Sequence, residues 1–312
     1  MNRIYGAMLF LFLIINLMFV HPGFCKELVI FHAGSLAKPL EEICEEYNKI
    51  YPDIEIIREA SGSREAAFKV AHLDRECDLV FSADYKVIEE ILMPQYTNFY
   101  FIFARNEMVI AFSEWSKYVS EINEENWYKI LTREDVRIGR SDENLDPCGY
   151  RSLMVWQLAE DFYNEKGLIE GFNKNCPKEN IRPKETELVA QIESLDLDYI
   201  FQYLSIAVQH RLQYIQLPKE INLGYFDYKD NYKKAKVKVK GTKGESIIEG
   251  SPIQYAVTVL QNAPHRKEAI EFLKFLISQE AQNILEKNGH PVYFILRGEC
   301  PEGLSFLKKF KK

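Results

Sequence analysis

Three short stretches of this 312-residue chain carry residue types and spacings that could hold a small anion. In one, Asp146 and Pro147 head an amphipathic run of Leu153, Met154, Trp156, Leu158 and Phe162. Asp is a favoured N-cap, Pro is favoured at the first helical position and the apolar spacing is helical, so Asp146 is expected to open a helix. A helix mouth offers unpaired N–H groups and partial positive charge, which suit an anion unless a carboxylate already fills the seat. As a pattern, Asp146 is equally a plain cap. The other two stretches share one design. Leu28-Val29-Ile30-Phe31 runs into His32-Ala33-Gly34-Ser35, and Ile54-Glu55-Ile56-Ile57 is followed by Ala60-Ser61-Gly62-Ser63, each leading into a helical stripe. Ser35 and Ser63 read as N-caps worth ~1 kcal/mol each, and either alone would be only that. Paired, they bring N–H and hydroxyl donors to one sheet edge, with Arg64 the only cation in the turns.

The elements that must position these residues alternate strand and helix. After the two units come a strand at 78–84 and a helix at 87–92, which argues for a parallel sheet with helices on both faces and ligands at the strands' carboxyl ends. Residues 99–112 form a long extended stretch with one polar interruption, long enough to leave one sheet and enter another. A second α/β region follows, with helices at 127–131, 185–192 and 199–210 and strands at 136–139 and 212–217. A long strand at 253–260 is suited to carry the chain back, and an amphipathic helix follows at 263–276. The expected fold is α/β and two-lobed, with mostly parallel sheets flanked by helices and two crossing hinge strands. Lobe 1 comprises 26–105 and 250–312, lobe 2 comprises 106–249, and hinge closure over a cleft is available.

Residues 1–25 have Arg3, an apolar stretch to Val20 and a His21-Pro22-Gly23 break, the layout of a secretory signal. Cleavage near Cys25 is the expected outcome; a lipid on Cys25, or an uncleaved anchor, is the alternative. The formal charge is -7 and becomes more negative without Arg3, so no basic field exists to hold nucleic acid. The basic runs at 233–243 and 308–312 read as solvated surface. The six cysteines are scattered without a C-x-x-C pair, which gives no zinc or redox motif. Outside the cell, Cys148 with Cys176 and Cys44 with Cys77 are candidate disulfides, with connectivity open.

The stretches FHAGSLAKPLEE, EASGSREAAFKV, LVFSADY, FARNEMVIAF, NWYKIL, DPCGYRSLM, RPKETEL, SIAVQH, LPKEINLGY and NAPHRKEAIEFLKFLIS together resemble the molybdate/tungstate-binding proteins of archaeal-type ABC importers. The resemblance spans about 28–291; AGSL alone is weak, whereas DPCGYR and RPKETEL in that order are strong. It implies a type II solute-binding fold with the oxyanion between the lobes. It assigns Gly34, Ser35 and Ser63 as donors, Asp146, Pro147 and Cys148 as the next contact segment, and Glu185 and Tyr203 as the remaining ligands. In that family the acids matching Asp146 and Glu185 approach the metal itself and make it six-coordinate. The chain departs from the pattern at 170–182, a short segment carrying Cys176.

Carboxylates beside an oxyanion repel sulfate or phosphate, but they can ligate the central atom of tungstate or molybdate. The expected function is therefore extracytoplasmic capture of one of these, at the outer face of the cell membrane, by a monomer. No cofactor is expected, and the partners would be an ABC permease and a cytoplasmic ATPase. The alternatives are a receptor for sulfate, phosphate or ferric ion, the last by clustered tyrosines, or an enzyme on the same scaffold using Cys148 or an acid pair. No catalytic signature supports the enzyme.

Overall fold

The computed structural model describes residues 26–241 and 244–311; the leader expected at 1–25 lies outside them. The chain begins with β1 (Lys26–Ala33), α1 (Ala37–Ile50), β2 (Ile54–Ser61), α2 (Ser63–Leu73) and β3 (Leu79–Ser82). β1 lies between β2 and β3, parallel to both. Leu28 and Ile30 pack with Leu40, Ile43 and Tyr47 of α1, while Phe31 packs with Ala66, Ala67 and Val70 of α2. A strand covered on both faces has no solvent side to keep polar, hence the unbroken apolar run.

β4 (Phe99–Arg105) belongs to this sheet, whereas β5 (Met108–Phe112) belongs to a second one. The polar interruption, Asn106 and Glu107, is the crossing. The second sheet adds β6 (Ile138–Ser141), β7 (Ile181–Arg182), β8 (Tyr199–Tyr203) and β9 (Gln213–Gln216), in the order β7-β6-β8-β5-β9. Its helices include α3 (Pro147–Phe162), α4 (Glu187–Glu193) and α5 (Leu204–Gln209). A hairpin of β10 (Lys236–Gly241) and β11 (Gly244–Glu249) precedes β12 (Gln254–Val259). With α6 (Arg266–Leu276), α7 (Gln279–Lys287) and β13 (Val292–Gly298), the first sheet reads β13-β4-β12-β3-β1-β2. The two crossings are tied: Asn106 N–H donates to Ile253 O at 3.4 Å and Ile253 N–H to Leu223 O at 2.8 Å. Asn106 Nδ2 also donates to Ser205 Oγ at 2.7 Å and to Tyr255 Oη at 3.0 Å.

Several expectations are corrected. The two sheets are mixed rather than mostly parallel: β5 and β12 enter by the crossings and run antiparallel to both their neighbours, and β13 runs antiparallel to β4, so parallel pairing is confined to the strand-helix-strand units. Residues 199–210 are not one helix: Tyr199–Tyr203 is strand, and the helix begins at Leu204. Phe201 packs on Trp127, Trp156 and Phe172, and Ile200 joins Leu188, Ile192 and Leu197 on the opposite face. A run buried on both faces carries no alternation to mark it as strand. β12 lies within the first sheet for its whole length, so the return crossing is 250–253 rather than the strand itself. Cys44, Cys77, Cys148, Cys176 and Cys300 are all free thiols. Cys44 and Cys77 lie in separate cores, and the Cys148 thiol faces Phe201 O and Gln202 Oε1 instead of Cys176.

Candidate functional site

The residues singled out in the sequence converge where the two lobes meet. Asp146 is the N-cap of α3, with Pro147 in its first turn. Its Oδ1 accepts the Cys148 N–H at 3.1 Å, and its Oδ2 accepts the Glu185 N–H at 2.9 Å. The Glu185 carboxyl in turn accepts the N–H of Ser35 from lobe 1 through Oε1. Gln202 fixes the Glu185 main chain, its Nε2 donating to Glu185 O at 2.8 Å and its Oε1 accepting the Tyr203 N–H at 2.8 Å. Asp146 and Glu185 are each 1% exposed.

Burial raises the pKa of both carboxyls above the ordinary carboxylate range. The Asp146 charge raises Glu185 further, whereas Asp146 is held lower by bonds from Glu185, Ser141 and the backbone. Two acids in contact cannot both ionise freely away from water, so the pair holds a proton above the ordinary carboxylate range. Glu185 Oε2 has no donor facing it.

Neither serine is an N-cap. Ser35 sits inside a 3₁₀ turn, Gly34–Leu36, ahead of α1, and its Oγ accepts the Tyr255 hydroxyl at 3.0 Å. Ser63 is the first residue of α2, capped by Gly62, and its Oγ accepts the Ala83 N–H at 2.9 Å. Each hydroxyl is oriented by a donor, which leaves its own proton for an acceptor. The mouth of α2 is partly filled by lobe 2: Arg64 N–H and Glu65 N–H donate to Leu145 O at 3.0 and 3.1 Å. Arg64 itself is turned away, paired with Glu90 at 2.7 Å and bonded to Lys240 O at 2.7 Å. Lobe contact is close enough to require glycine at Gly62, where a Cβ would stand 2.4 Å from Leu145 O; one on Gly34 would stand 3.2 Å from Glu185 Oε1, a tight contact with a side chain.

Tyr203 is buried, and its oxygen accepts from Arg151 Nη1 at 2.7 Å. Arg151, Tyr150, Asp84 and Tyr255 were not among the sequence-derived site residues. Tyr150 and Arg151 follow Cys148 within DPCGYR, and Asp84 ends the third strand, so motif position could have found them; Tyr255 lies in an apolar strand without such a signal.

Two lobes on separate sheets, joined by two crossings and closing over buried polar groups, define a type II periplasmic-binding-protein fold. The same architecture occurs in the periplasmic molybdate-binding protein of Azotobacter vinelandii, with TM-score 0.60, 16% identity, and 84% of this chain and 98% of that one covered. It also occurs in the sulfate-binding protein SubI of Mycobacterium tuberculosis, with TM-score 0.59, 12% identity and 92% of each chain. The chain belongs to the bacterial extracellular solute-binding protein family, whose model matches residues 28–290. It is 49% identical over 306 residues to a solute-binding protein of Petrotoga mobilis, covering 97% of this chain and 94% of that one. It is also 44% identical over 318 residues to the molybdate/tungstate-binding protein WtpA of Pyrococcus abyssi, covering 92% and 91%.

Proposed function

We propose that this solute-binding protein captures tungstate or molybdate in the interlobe cleft outside the cytoplasm and delivers it, as a monomer, to an ABC permease driven by a cytoplasmic ATPase. The observation that carries the reading is the buried pair Asp146 and Glu185, in contact with each other and with the Ser35 N–H. A seat for a simple anion would not place two acids against its own donors, because they repel sulfate or phosphate. A metallate differs in that its central atom accepts hard oxygen ligands. In this reading Gly34, Ser35 and Ser63 hold the rim oxygens by neutral donors, the segment Asp146, Pro147 and Cys148 together with Tyr203 completes the enclosure, and the two carboxylates reach the metal. The relatives named for molybdate and tungstate support it; the fold does not, since it is shared with a sulfate-binding protein.

Thermal unfolding with and without ligand tests the proposal. At 100-fold excess over Kd, tungstate or molybdate should stabilise the protein by about 2.7 kcal/mol. Sulfate and phosphate at the same concentration should leave it unmoved. Equal stabilisation by sulfate would reject the carboxylate argument and favour a general oxyanion receptor.

A further inference from the structure

Arg151 is the one cation that reaches from α3 across the cleft, and it arrives already paired. Its Nη1 donates to Ala83 O at 2.8 Å and to Tyr203 Oη at 2.7 Å, and its Nη2 lies 2.8 Å from Asp84 Oδ2. Both side chains of this pair are 2% exposed. Asp84 Oδ2 also accepts the Tyr150 hydroxyl at 2.6 Å, and Oδ1 accepts the Lys86 N–H at 2.9 Å. The guanidinium is thus one hydrogen bond from Tyr203. Through Ala83, whose N–H donates to Ser63 Oγ, it is two bonds from Ser63. Nη2 is close to Asp84 yet off-line for a hydrogen bond, so part of its donor capacity is uncommitted.

Released from Asp84, the arginine would offer its Nη2 as a charged donor to one oxygen of sulfate or phosphate, with a charge that water does not disperse. A buried charge that loses its partner is strongly disfavoured and draws in a counter-ion. Asp84 removes both effects.

We propose that Asp84 is a specificity-determining residue: by neutralising Arg151 it keeps this buried cation from offering a charge partner to a simple oxyanion, so repulsion by Asp146 and Glu185 is not offset there. The inference rests on the reading of the cleft as a metallate seat. Asp84 acts without touching the ligand, by controlling what Arg151 offers.

The test is Asp84→Asn, which keeps the size and one acceptor oxygen for Tyr150 but removes the charge. Sodium sulfate and sodium tungstate are titrated calorimetrically into the natural chain and the variant at constant ionic strength. Sulfate affinity should rise about 10-fold or more, the worth of one hydrogen bond from a charged donor. Tungstate affinity should change less, so the selectivity ratio falls. Adding Arg151→Gln to Asp84→Asn should abolish the gain, since no cation is then left to release. Asp84→Ser, read by the same ratio, is the second variant if the first does not fold. Unchanged sulfate affinity with tungstate binding retained overturns the proposal, as does a gain that survives Arg151→Gln. Loss of both ligands also overturns it, because Asp84 would then serve only to hold the lobes together. Tungstate binding by the natural chain tests the functional reading separately, whereas the sulfate ratio between variant and natural chain tests Asp84 alone.

Discussion

Replacing Gly62 with alanine should separate lobe closure from lobe folding. Gly62 caps α2 at φ -62° and ψ 143°, a conformation open to alanine, so the backbone imposes no strain. The obstacle lies entirely in the other lobe. A Cβ at this position would stand 2.4 Å from Leu145 O, 2.9 Å from Leu145 C and 3.1 Å from Asp146 Cβ. The first two are backbone atoms that cannot rotate aside, so closure must stop short. The hydrogen bonds from Arg64 N–H and Glu65 N–H to Leu145 O are then lost, and Glu185 is held back from the Ser35 N–H. Two neutral hydrogen bonds at ~0.5–1.5 kcal/mol each come to ~1–3 kcal/mol of closed-state stabilisation. That corresponds to tungstate binding weaker by about 5- to 150-fold. The ligand-free protein should keep its unfolding midpoint, because the ~0.4–1 kcal/mol that alanine returns by restricting the unfolded chain offsets its poorer capping of α2. Calorimetric titration with tungstate, alongside urea unfolding without it, reads both quantities. Undiminished tungstate affinity would refute the steric argument; loss of stability in the ligand-free protein would mean that Gly62 serves the lobe rather than its closure.

The acid pair should govern selectivity more than the serines do. Asp146→Asn or Glu185→Gln is expected to lower the tungstate-over-sulfate ratio more than Ser35→Ala, and a competition titration in which the acid variants discriminate like the natural chain would count against their reaching the metal. Mild acidification should act on the buried histidines. Burial lowers His32 from 6.5 to about 4 and His290 to about 3, so between these values and 6.5 the unfolded chain takes up protons that the folded chain refuses. Their contribution is complete above pH 6.5 and declines as pH falls below it, by about 2–3 kcal/mol for the two together from pH 7.5 to 5.5. The raised acids Asp146 and Glu185 act in the opposite sense over this window, because the folded chain keeps a proton that the unfolded chain has lost. The histidines are therefore read directly, and an NMR titration in which either imidazole protonates near 6.5 would contradict their neutral burial.

What the sequence settled by itself was local. Asp146 followed by Pro147 opens a helix because cap and first turn are adjacent in the chain, and the strand-to-helix units reach the cleft because the period of their apolar residues is set within each element. The polar break in the long extended stretch likewise marked the crossing, since polar groups interrupt a strand where it leaves its sheet. Tertiary structure decided the rest. Ser35 and Ser63 looked like caps, and only contacts with Tyr255 and Ala83 show that their oxygens are occupied elsewhere. Tyr199–Tyr203 became a strand because β5 and β6 flank it, a choice its own apolar run could not express. The Glu185 carboxyl meets the Ser35 N–H across 150 positions, and Tyr150 meets Asp84 across 66. Hydrogen bonds at that separation leave no periodicity in the chain, because they are fixed by how two sheets close on each other and not by either segment alone.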